Sequence, residues 1–282
     1  MSAVDQLLFN RKGQQPVPDG AVLTPGGYRH PSIVHHVPLG HRVRRRKQQL
    51  QLVNRRTQRI IARHDVYATD APIPGLGSGW VTFASWRSNA SGPISQFATD
   101  WTVPDDPTAG DTGQTIFLFN ALQNAARTNL LQPVLQWGTS QAGGGPFWSI
   151  GNWYIDPSGH VCHSDSLPVL PGQVLTAIIS LGQENNGLFS YVVSFQGYPA
   201  LDLNVTGIEE LVCAAETLEA YQIGDRNEYP ATAFTAMTNI AIAAGGTAPA
   251  LNWSVQNNST TFGEHTIIAS LANPGGQVNI FY

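Results

Sequence analysis

The stretch HVCH at positions 160–163 brings together residue types that bind transition metals. In an extended strand His160 and Cys162 would share one face, because side chains alternate along a strand. A zinc site needs three or four such ligands, and no second cluster of ligands lies near this stretch in the sequence. The chain also lacks the GxSxG, HExxH, P-loop and EF-hand motifs. We therefore expect neither a metal nor a cofactor.

Positive charge is concentrated in the first quarter of the chain. Nine of the fifteen Lys and Arg residues lie in positions 41–65, HRVRRRKQQLQLVNRRTQRIIARHD. Residues 1–66 carry a net charge of +9, whereas residues 67–282 carry −13. A contrast of this size within one chain indicates two segments with different roles.

Composition divides the chain into three parts. Residues 1–66 form a basic N-terminal extension, residues 67–78 (YATDAPIPGLGS) a Pro/Gly-rich linker, and residues 79–282 the packed domain, which holds all seven Trp residues. The apolar residues of 42–64 recur with helical spacing, which predicts an amphipathic helix there. The histidines of the extension are expected to be solvated; they include His35, His36 and His41.

From Gly79 onward the sequence is typical of β-structure. Short runs rich in β-branched and aromatic residues, such as GWVTFASW, QTIFLFN and QVLTAIISL, are bounded by Gly, Pro, Asn and Asp. Only 209–223 (EELVCAAETLEAYQI) has a helical composition. The predicted fold class is all-β: an antiparallel β-sandwich of jelly-roll or concanavalin-like type with a basic N-terminal extension.

The two cysteines, Cys162 and Cys213, allow either one disulfide or two buried free thiols. No apolar run approaches the length of a membrane-spanning helix, so no transmembrane segment is expected. The N-terminus, MSAVDQLLFNRKGQQ, lacks the apolar core of a secretory signal. The sequence leaves the oligomeric state open.

The region from Trp80 to the C-terminus resembles the glutamic peptidases, or eqolisins, in a series of ordered pieces. The pieces that carry the resemblance are ISQFATDWTVP, PVLQWG, GNWYID, LPGQVLTAIIS, CAAETLEAYQI and ATAFTAMTNIAI. The resemblance implies an acid endopeptidase with a polypeptide substrate and no cofactor. It also suggests secretion, although no signal is visible in the N-terminal residues.

The resemblance places Gln136, in PVLQWG, at the family's catalytic glutamine and Glu219, in CAAETLEAYQI, at its catalytic glutamate. Glu216 is the competing glutamate if the match slips by three residues. In the implied chemistry the carboxylate takes a proton from water, which attacks the scissile carbonyl, and the amide N–H₂ stabilises the oxyanion. A glycine two residues after Gln136 would leave room for the substrate backbone.

The same resemblance suggests residues that bind the substrate: Trp80, Asn120, Trp137, Asn152 and Trp153. Trp86 competes with Trp80 for the position of the family's N-terminal Trp. Asn120 and Asn152 stand where the family has carboxylates, so charge coupling to the glutamate would be lost there. The site is then either active at a different pH or a scaffold that binds without catalysis.

A carbohydrate-binding, lectin-like β-sandwich without catalysis is the alternative function. Trp side chains that stack on sugars and amides that bind their hydroxyls would serve it. The residues concerned are Trp137, Trp148, Trp153, Asn120 and Asn152. Glu219 discriminates the two functions, because a peptidase requires this carboxylate and a lectin does not.

The basic extension has two functional interpretations, beside that of a disordered segment without a specific role. It is either a propeptide whose residues 42–64 clamp the acidic domain, as the resemblance to peptidases with basic propeptides implies, or a tail that binds a polyanion. The negative charge of the domain would repel a polyanion, so no nucleic-acid partner is expected.

Overall fold

The computed structural model describes residues 19–66 and 79–282, so the predicted linker 67–78 lies outside the described residues. Within the described ranges the chain forms twenty-one β-strands and three short 3-10 helices, and it contains no α-helix. No helix in this part of the chain is long and apolar enough to cross a membrane. Strands are numbered below in chain order.

Nine strands form the site sheet, named for the predicted catalytic residues that it carries. In spatial order it consists of β19 (Ser254–Asn257), β7 (Trp80–Arg87), β17 (Cys213–Tyr221), β9 (Thr115–Gln123), β10 (Leu130–Ser140), β11 (Gly143–Ile155), β12 (Val161–His163) and β3 (Val34–His36), with β13 (Leu167–Pro168) paired to β11.

Ten strands form the back sheet. In spatial order it consists of β20 (His265–Ser270), β21 (Gly276–Phe281), β18 (Phe234–Ala244), β8 (Ile94–Thr102), β14 (Val174–Asn185), β15 (Leu188–Phe195), β16 (Leu203–Ile208), β4 (His41–Arg46), β5 (Gln49–Asn54) and β6 (Ile60–Asp65). Neither sheet closes into a barrel, which confirms the predicted all-β sandwich. The jelly-roll assignment stays a prediction.

The core lies between the two sheets. Leu118, Leu135 and Ile150 of the site sheet belong to the same buried cluster as Phe97 and Trp101 of the back sheet. Burial of each such side chain stabilises the fold by about 1.5–3 kcal/mol. Strands β9 and β17 are buried along their whole length, so their other face is covered as well.

The described part of the N-terminal extension, residues 19–66, covers that other face and joins both sheets. We call it the N-terminal segment. A short hairpin of β1 (Val22–Thr24) and β2 (Gly27–Arg29) packs Leu23 and Tyr28 against an aromatic cluster of the site sheet. Strand β3 then pairs in parallel with β12 at the edge of this sheet, and β4 pairs in parallel with β16 of the back sheet.

The predicted helix over residues 42–64 is wrong, because this stretch forms β4, β5 and β6. Leu50 and Leu52 of β5 belong to the core cluster, and the intervening Gln51 is buried as well, so β5 is covered on both faces. Pairing of β4 with β16 supplies the backbone partners. The helical composition of 209–223 is overridden in the same way, since β17 is a central strand.

Two further expectations concern the cysteines and the histidines of the N-terminal extension. Cys162 and Cys213 are both buried and free, so the disulfide is absent and the alternative of two thiols holds. His35 is 7% exposed, so it is not a solvated tail residue.

Candidate active site

Gln136 and Glu219 lie in one row across three neighbouring strands. Gln136 on β10 is paired with Phe117 on β9, and Phe117 is paired with Glu219 on β17. Residues paired across strands project to the same face, so both polar side chains point away from the core and towards the N-terminal segment. Their Cα atoms are two strand spacings apart, about 10 Å.

The carboxylate of Glu219 is fully buried and held from two sides. Its Oε1 accepts a hydrogen bond of 2.8 Å from the backbone N–H of Gly26 and one of 2.5 Å from the hydroxyl of Tyr221. Oε2 has no hydrogen-bond donor at normal geometry among the described residues, and the indole of Trp80 lies beside the carboxylate. One oxygen is thus fixed while the other keeps its capacity to accept a proton.

Burial raises the pKa of Glu219 from its ordinary value to about 7. Desolvation is the largest cause, because it disfavours the charged form. The hydrogen bonds from Tyr221 and Gly26, the positive charge of Arg29 and the indole of Trp80 act in the opposite direction. The carboxyl group can therefore change its protonation state near neutral pH, as a general base and acid must.

The amide of Gln136 is oriented by the turn that joins β10 to β11. Its Nε2 donates to the carbonyl oxygens of Gly138 at 2.7 Å and Gly143 at 2.9 Å, and its Oε1 accepts from the hydroxyl of Ser140 at 2.7 Å. These bonds assign the amide orientation without ambiguity. In this state both N–H donors are engaged by the turn.

Two glycines make this arrangement sterically feasible. A Cβ on Gly144, at φ +105°, would lie 2.4 Å from Nε2 of Gln136 and 2.2 Å from the carbonyl oxygen of Gly138. A Cβ on Gly138 would lie 2.2 Å from the carbonyl oxygen of Gln114. The space at Gly138 is thus taken by the backbone before β9, and not left for a substrate as the sequence suggested.

Glu216 occupies the opposite face of β17, between the two sheets. Its Oε1 accepts a hydrogen bond of 2.6 Å from the hydroxyl of Thr99 on the back sheet, and burial raises its pKa well above the ordinary value. Glu216 therefore does not share a face with Gln136. Of the two glutamates only Glu219 does.

The predicted substrate-binding residues divide between the two faces. Trp80 is paired with Glu219 and lies on its face, and Trp153 lies on the same face further along the sheet. Asn120, Trp137 and Asn152 point between the sheets, away from Gln136 and Glu219. The structure brings Trp80 to the dyad and does not bring these three residues there.

The face that a lectin-like function would need is not exposed. Each of its five candidate residues is at most 2% exposed: Trp137, Trp148, Trp153, Asn120 and Asn152. Trp137 and Trp148 pack against each other inside the sandwich, with ring centroids 5.6 Å apart. These side chains therefore offer no exposed surface on which a sugar could stack.

The outer face of the basic strands carries a row of cations. Arg42, Arg44 and Arg46 alternate along β4, and Arg63 follows on β6. Burial and repulsion from these neighbours lower the pKa of Arg44. This row lies on the back sheet, away from Glu219, and binding of a polyanion here stays a prediction.

Sequence reasoning missed three residues at the site. Tyr221 could have been found, because it follows Glu219 by two positions and so shares its face in a strand. Gly26 and Arg29 gave no such signal, since they reach Glu219 from 193 and 190 positions away. Arg29 is buried there, and its guanidinium donates a hydrogen bond of 2.9 Å to the carbonyl of Gly26.

The metal chemistry considered for HVCH does not fit the donor geometry. Within residues 19–66 and 79–282 no three His, Cys, Asp or Glu side chains are placed to hold a metal ion. The thiol of Cys162 is fully buried, and burial raises its pKa, which disfavours the thiolate that a metal would need.

Solved structures similar to this chain include glutamic peptidases. Scytalido-glutamic peptidase with a peptide-based transition state analog aligns with a TM-score of 0.47 and 11% identity, over 72% of this chain and 98% of that chain. SCP-B, an eqolisin in complex with the tripeptide Ala-Ile-His, aligns with a TM-score of 0.45 and 11% identity over the same shares. An alginate lyase mutant in complex with alginate trisaccharide reaches a TM-score of 0.27 and 11% identity, over 68% and 81%.

No protein-family model matches the chain, and no curated protein matches it. Likenesses at these TM-scores carry no weight for function. The structure itself places Gln136 and Glu219 on one face of the site sheet, next to the N-terminal segment.

Proposed function

We propose that this protein is a peptidase-like hydrolase in which Glu219 is the general base and acid and Gln136 the oxyanion donor. The observation that carries the proposal is their placement in one row, on one face, across Phe117. The sequence resemblance to glutamic peptidases identified these two residues, and their shared row is consistent with that identification.

In the proposed reaction Oε2 of Glu219 takes a proton from a water molecule, and the water oxygen bonds to the carbonyl carbon of the scissile peptide. The amide N–H of Gln136 stabilises the negative charge that develops on the carbonyl oxygen. Glu219 then returns the proton to the leaving nitrogen as the C–N bond breaks. Before this, one N–H of Gln136 has to turn from the carbonyl of Gly143 to the substrate.

The N-terminal segment blocks this reaction in the described state. Gly26 binds Oε1 of Glu219, and residues 22–36 extend from there to the sheet edge at β12. The sequence-based clamp assigned this role to residues 42–64, but these residues extend the back sheet. We therefore assign the cover to residues 22–36.

A pH series from about 2 to 7 with a denatured protein substrate, read by mass spectrometry, tests the function. We expect the wild-type chain to cut peptide bonds at acid pH once residues 22–36 are displaced, because water then reaches Glu219 and relieves the desolvation that raises its pKa. Protein that remains folded across the series, as the full chain and after removal of residues 1–36, and cuts no peptide bond would exclude the proposed hydrolase.

A further inference from the structure

A second glutamine, Gln132, lies on the same strand and the same face as Gln136. The two are four residues apart along β10, about 13 Å. Gln132 is fully buried, and within the described residues neither its Nε2 nor its Oε1 has a hydrogen-bond partner. This is the one amide on that face with both ends unpaired in the described part of the chain.

An unpaired buried amide destabilises a fold, because its lost bonds to water are not replaced. Small and aromatic side chains border Gln132. Its partner on β11 is Trp153, and the adjacent positions on β9 and β17 are the small residues Ala121 and Ala215, which are paired with each other. The amide of Gln132 can both donate and accept a hydrogen bond on this face.

We propose that Gln132 binds a backbone peptide group of the polypeptide substrate, about four residues from the scissile bond in a chain that runs along β10. This assignment rests on the proposed function. A peptide group offers one donor and one acceptor, which matches the two unpaired ends of Gln132. Thr217 on β17, two strands away, shares this face in a row between those of the two glutamines, and its hydroxyl has no hydrogen-bond partner among the described residues.

Substitution Gln132→Leu tests this subsite with two matched peptides, one with two residues and one with six residues on each side of the cut. We expect the wild-type chain to favour the long peptide at least tenfold in kcat/KM, mainly through KM, and the variant to reduce this ratio to near one. The variant should melt no lower than wild type, since leucine removes an unpaired buried amide. Gln96→Leu, on the exposed face of β8, is the matched control.

An unchanged ratio in Gln132→Leu overturns the subsite. If the wild-type chain cuts neither peptide, the proposed hydrolase fails and the subsite is judged by binding instead. Fluorescence anisotropy of the labelled long peptide with the full chain at acid pH then gives the result. Weaker binding by Gln132→Leu than by Gln96→Leu keeps the subsite, whereas equal binding or no binding overturns it.

A separate observation concerns how the N-terminal segment is held. His35 on β3 stacks on His64 of β6 with ring centroids 3.7 Å apart, and its Nε2 lies 2.9 Å from Nδ1 of His160 in the domain. Next to it His36 pairs with Asp165 at 2.7 Å. These contacts join β3, the last strand of the cover, to β6 and to the edge of the site sheet.

The charged groups around the three stacked histidines are few. His163 faces His35, and Arg45 and Asp156 face His160. Asp156 is itself paired with Arg45, whose Nε lies 3.3 Å from its carboxylate. A proton added to the stack therefore meets other histidines, and on His160 it also meets the attraction of Asp156, which Arg45 opposes.

We infer that the stack of His35, His64 and His160 is an acid-sensitive joint that releases the covering residues 22–36. Protonation would place like charges on rings at stacking distance. Burial, followed by the neighbouring histidines, lowers the pKa of His35 to about 3, and burial lowers the pKa of His64 and His160. Docking is therefore complete above the ordinary histidine pKa of about 6.5 and weakens as the pH falls below it.

Glu219 cannot supply this release. Its pKa in the covered state is raised, so its contribution to stability is present below its ordinary pKa and is lost as the pH rises through about 7. Protonation of Glu219 at acid pH thus favours the covered state. Protonation of the histidines, whose pKa values are lowered in the covered state, disfavours it.

Hydrogen exchange of residues 22–36 between pH 7 and 3, corrected for intrinsic exchange rates, measures the joint without any need for catalysis. In the wild-type chain we expect the opening constant to rise as the pH falls, about tenfold per pH unit for each proton taken up. His35→Gln should reduce the number of protons taken up on opening by about one, so the opening constant rises less steeply as the pH falls. His265→Gln, on the distant strand β20, should match wild type. A His35→Gln profile equal to both would overturn the joint.

Discussion

The backbone N–H of Gly26 donates a 2.8 Å hydrogen bond to Oε1 of Glu219, across 193 positions of sequence. This contact places the turn of the β1–β2 hairpin directly on the proposed general base. Because Tyr221 binds the same oxygen, the second oxygen of Glu219 is the one available for chemistry. In the proposed hydrolase, residues 22–36 would therefore inhibit by occupying the site.

Loss of the hydroxyl in Tyr221→Phe should raise the pKa of Glu219 above its present value of about 7. The hydroxyl stabilises the charged carboxylate, and a hydrogen bond of this kind corresponds to about one pKa unit or more. Carbon-13 NMR titration of glutamate side chains measures the shift, with Tyr198→Phe as control. An unchanged or lower pKa in Tyr221→Phe would contradict the assigned role of the hydroxyl.

Gly144→Ala should cost stability and activity, because the new Cβ would collide with Nε2 of Gln136 and with the carbonyl of Gly138. Gly143→Ala is the matched control: its φ of +96° imposes similar backbone strain, but nothing lies within 4 Å of its Cβ. We expect Gly144→Ala to be less stable than Gly143→Ala by about 1–3 kcal/mol in denaturant unfolding. Equal stability would show that the turn does not fix Gln136.

Glu216→Gln should change the pH dependence of stability and leave the fold intact. Burial raises the pKa of Glu216, so its stabilising contribution is present below its ordinary pKa and is lost as the pH rises. Glutamine keeps an oxygen that can accept from Thr99 and does not ionise. Between pH 4 and pH 8 the Tm of the variant should fall by about a few degrees less than the Tm of wild type. The exposed control Glu184→Gln should behave like wild type. Parallel Tm profiles would refute a protonated Glu216.

Removal of the amide in Gln136→Ala should lower kcat about 10²- to 10³-fold with a smaller effect on KM, because an oxyanion donor acts in the transition state. Gln141→Ala, an exposed glutamine in the adjacent turn, is the control. A kcat within a few fold of wild type would remove Gln136 from the mechanism.

The sandwich could be predicted from sequence because strand-forming runs and turn residues are local signals. The segment 42–64 could not, since its apolar residues fit both a helical and an alternating period, and pairing of β4 with β16 decides between them. The helical composition around Glu219 misled for the same reason. Propensity is a weak signal in a central strand that is buried on both faces.

The identity of the dyad came from a resemblance, and its geometry came from register. Period-two alternation places Glu216 and Glu219 on opposite faces of a strand, but it cannot say which face Gln136 shares, because cross-strand pairing is a long-range property. The same limit explains why Asn120 and Asn152 were assigned to the site although they lie inside the sandwich. No local sequence pattern predicts that the turn at Gly26 lies on Glu219.

The most direct test of the proposed chemistry compares Glu219→Gln with Glu216→Gln on one peptide at acid pH. Each variant is assayed alone and again after a trace of wild-type chain has been added. The wild-type background is subtracted. The added wild-type chain can cut the N-terminal segment of the variant, so an uncut segment cannot account for lost activity. We predict that Glu219→Gln loses about 10²- to 10⁴-fold in kcat/KM, whereas Glu216→Gln stays within a few fold of wild type. An active Glu219→Gln, or an inactive Glu216→Gln that remains folded, would contradict Glu219 as the base.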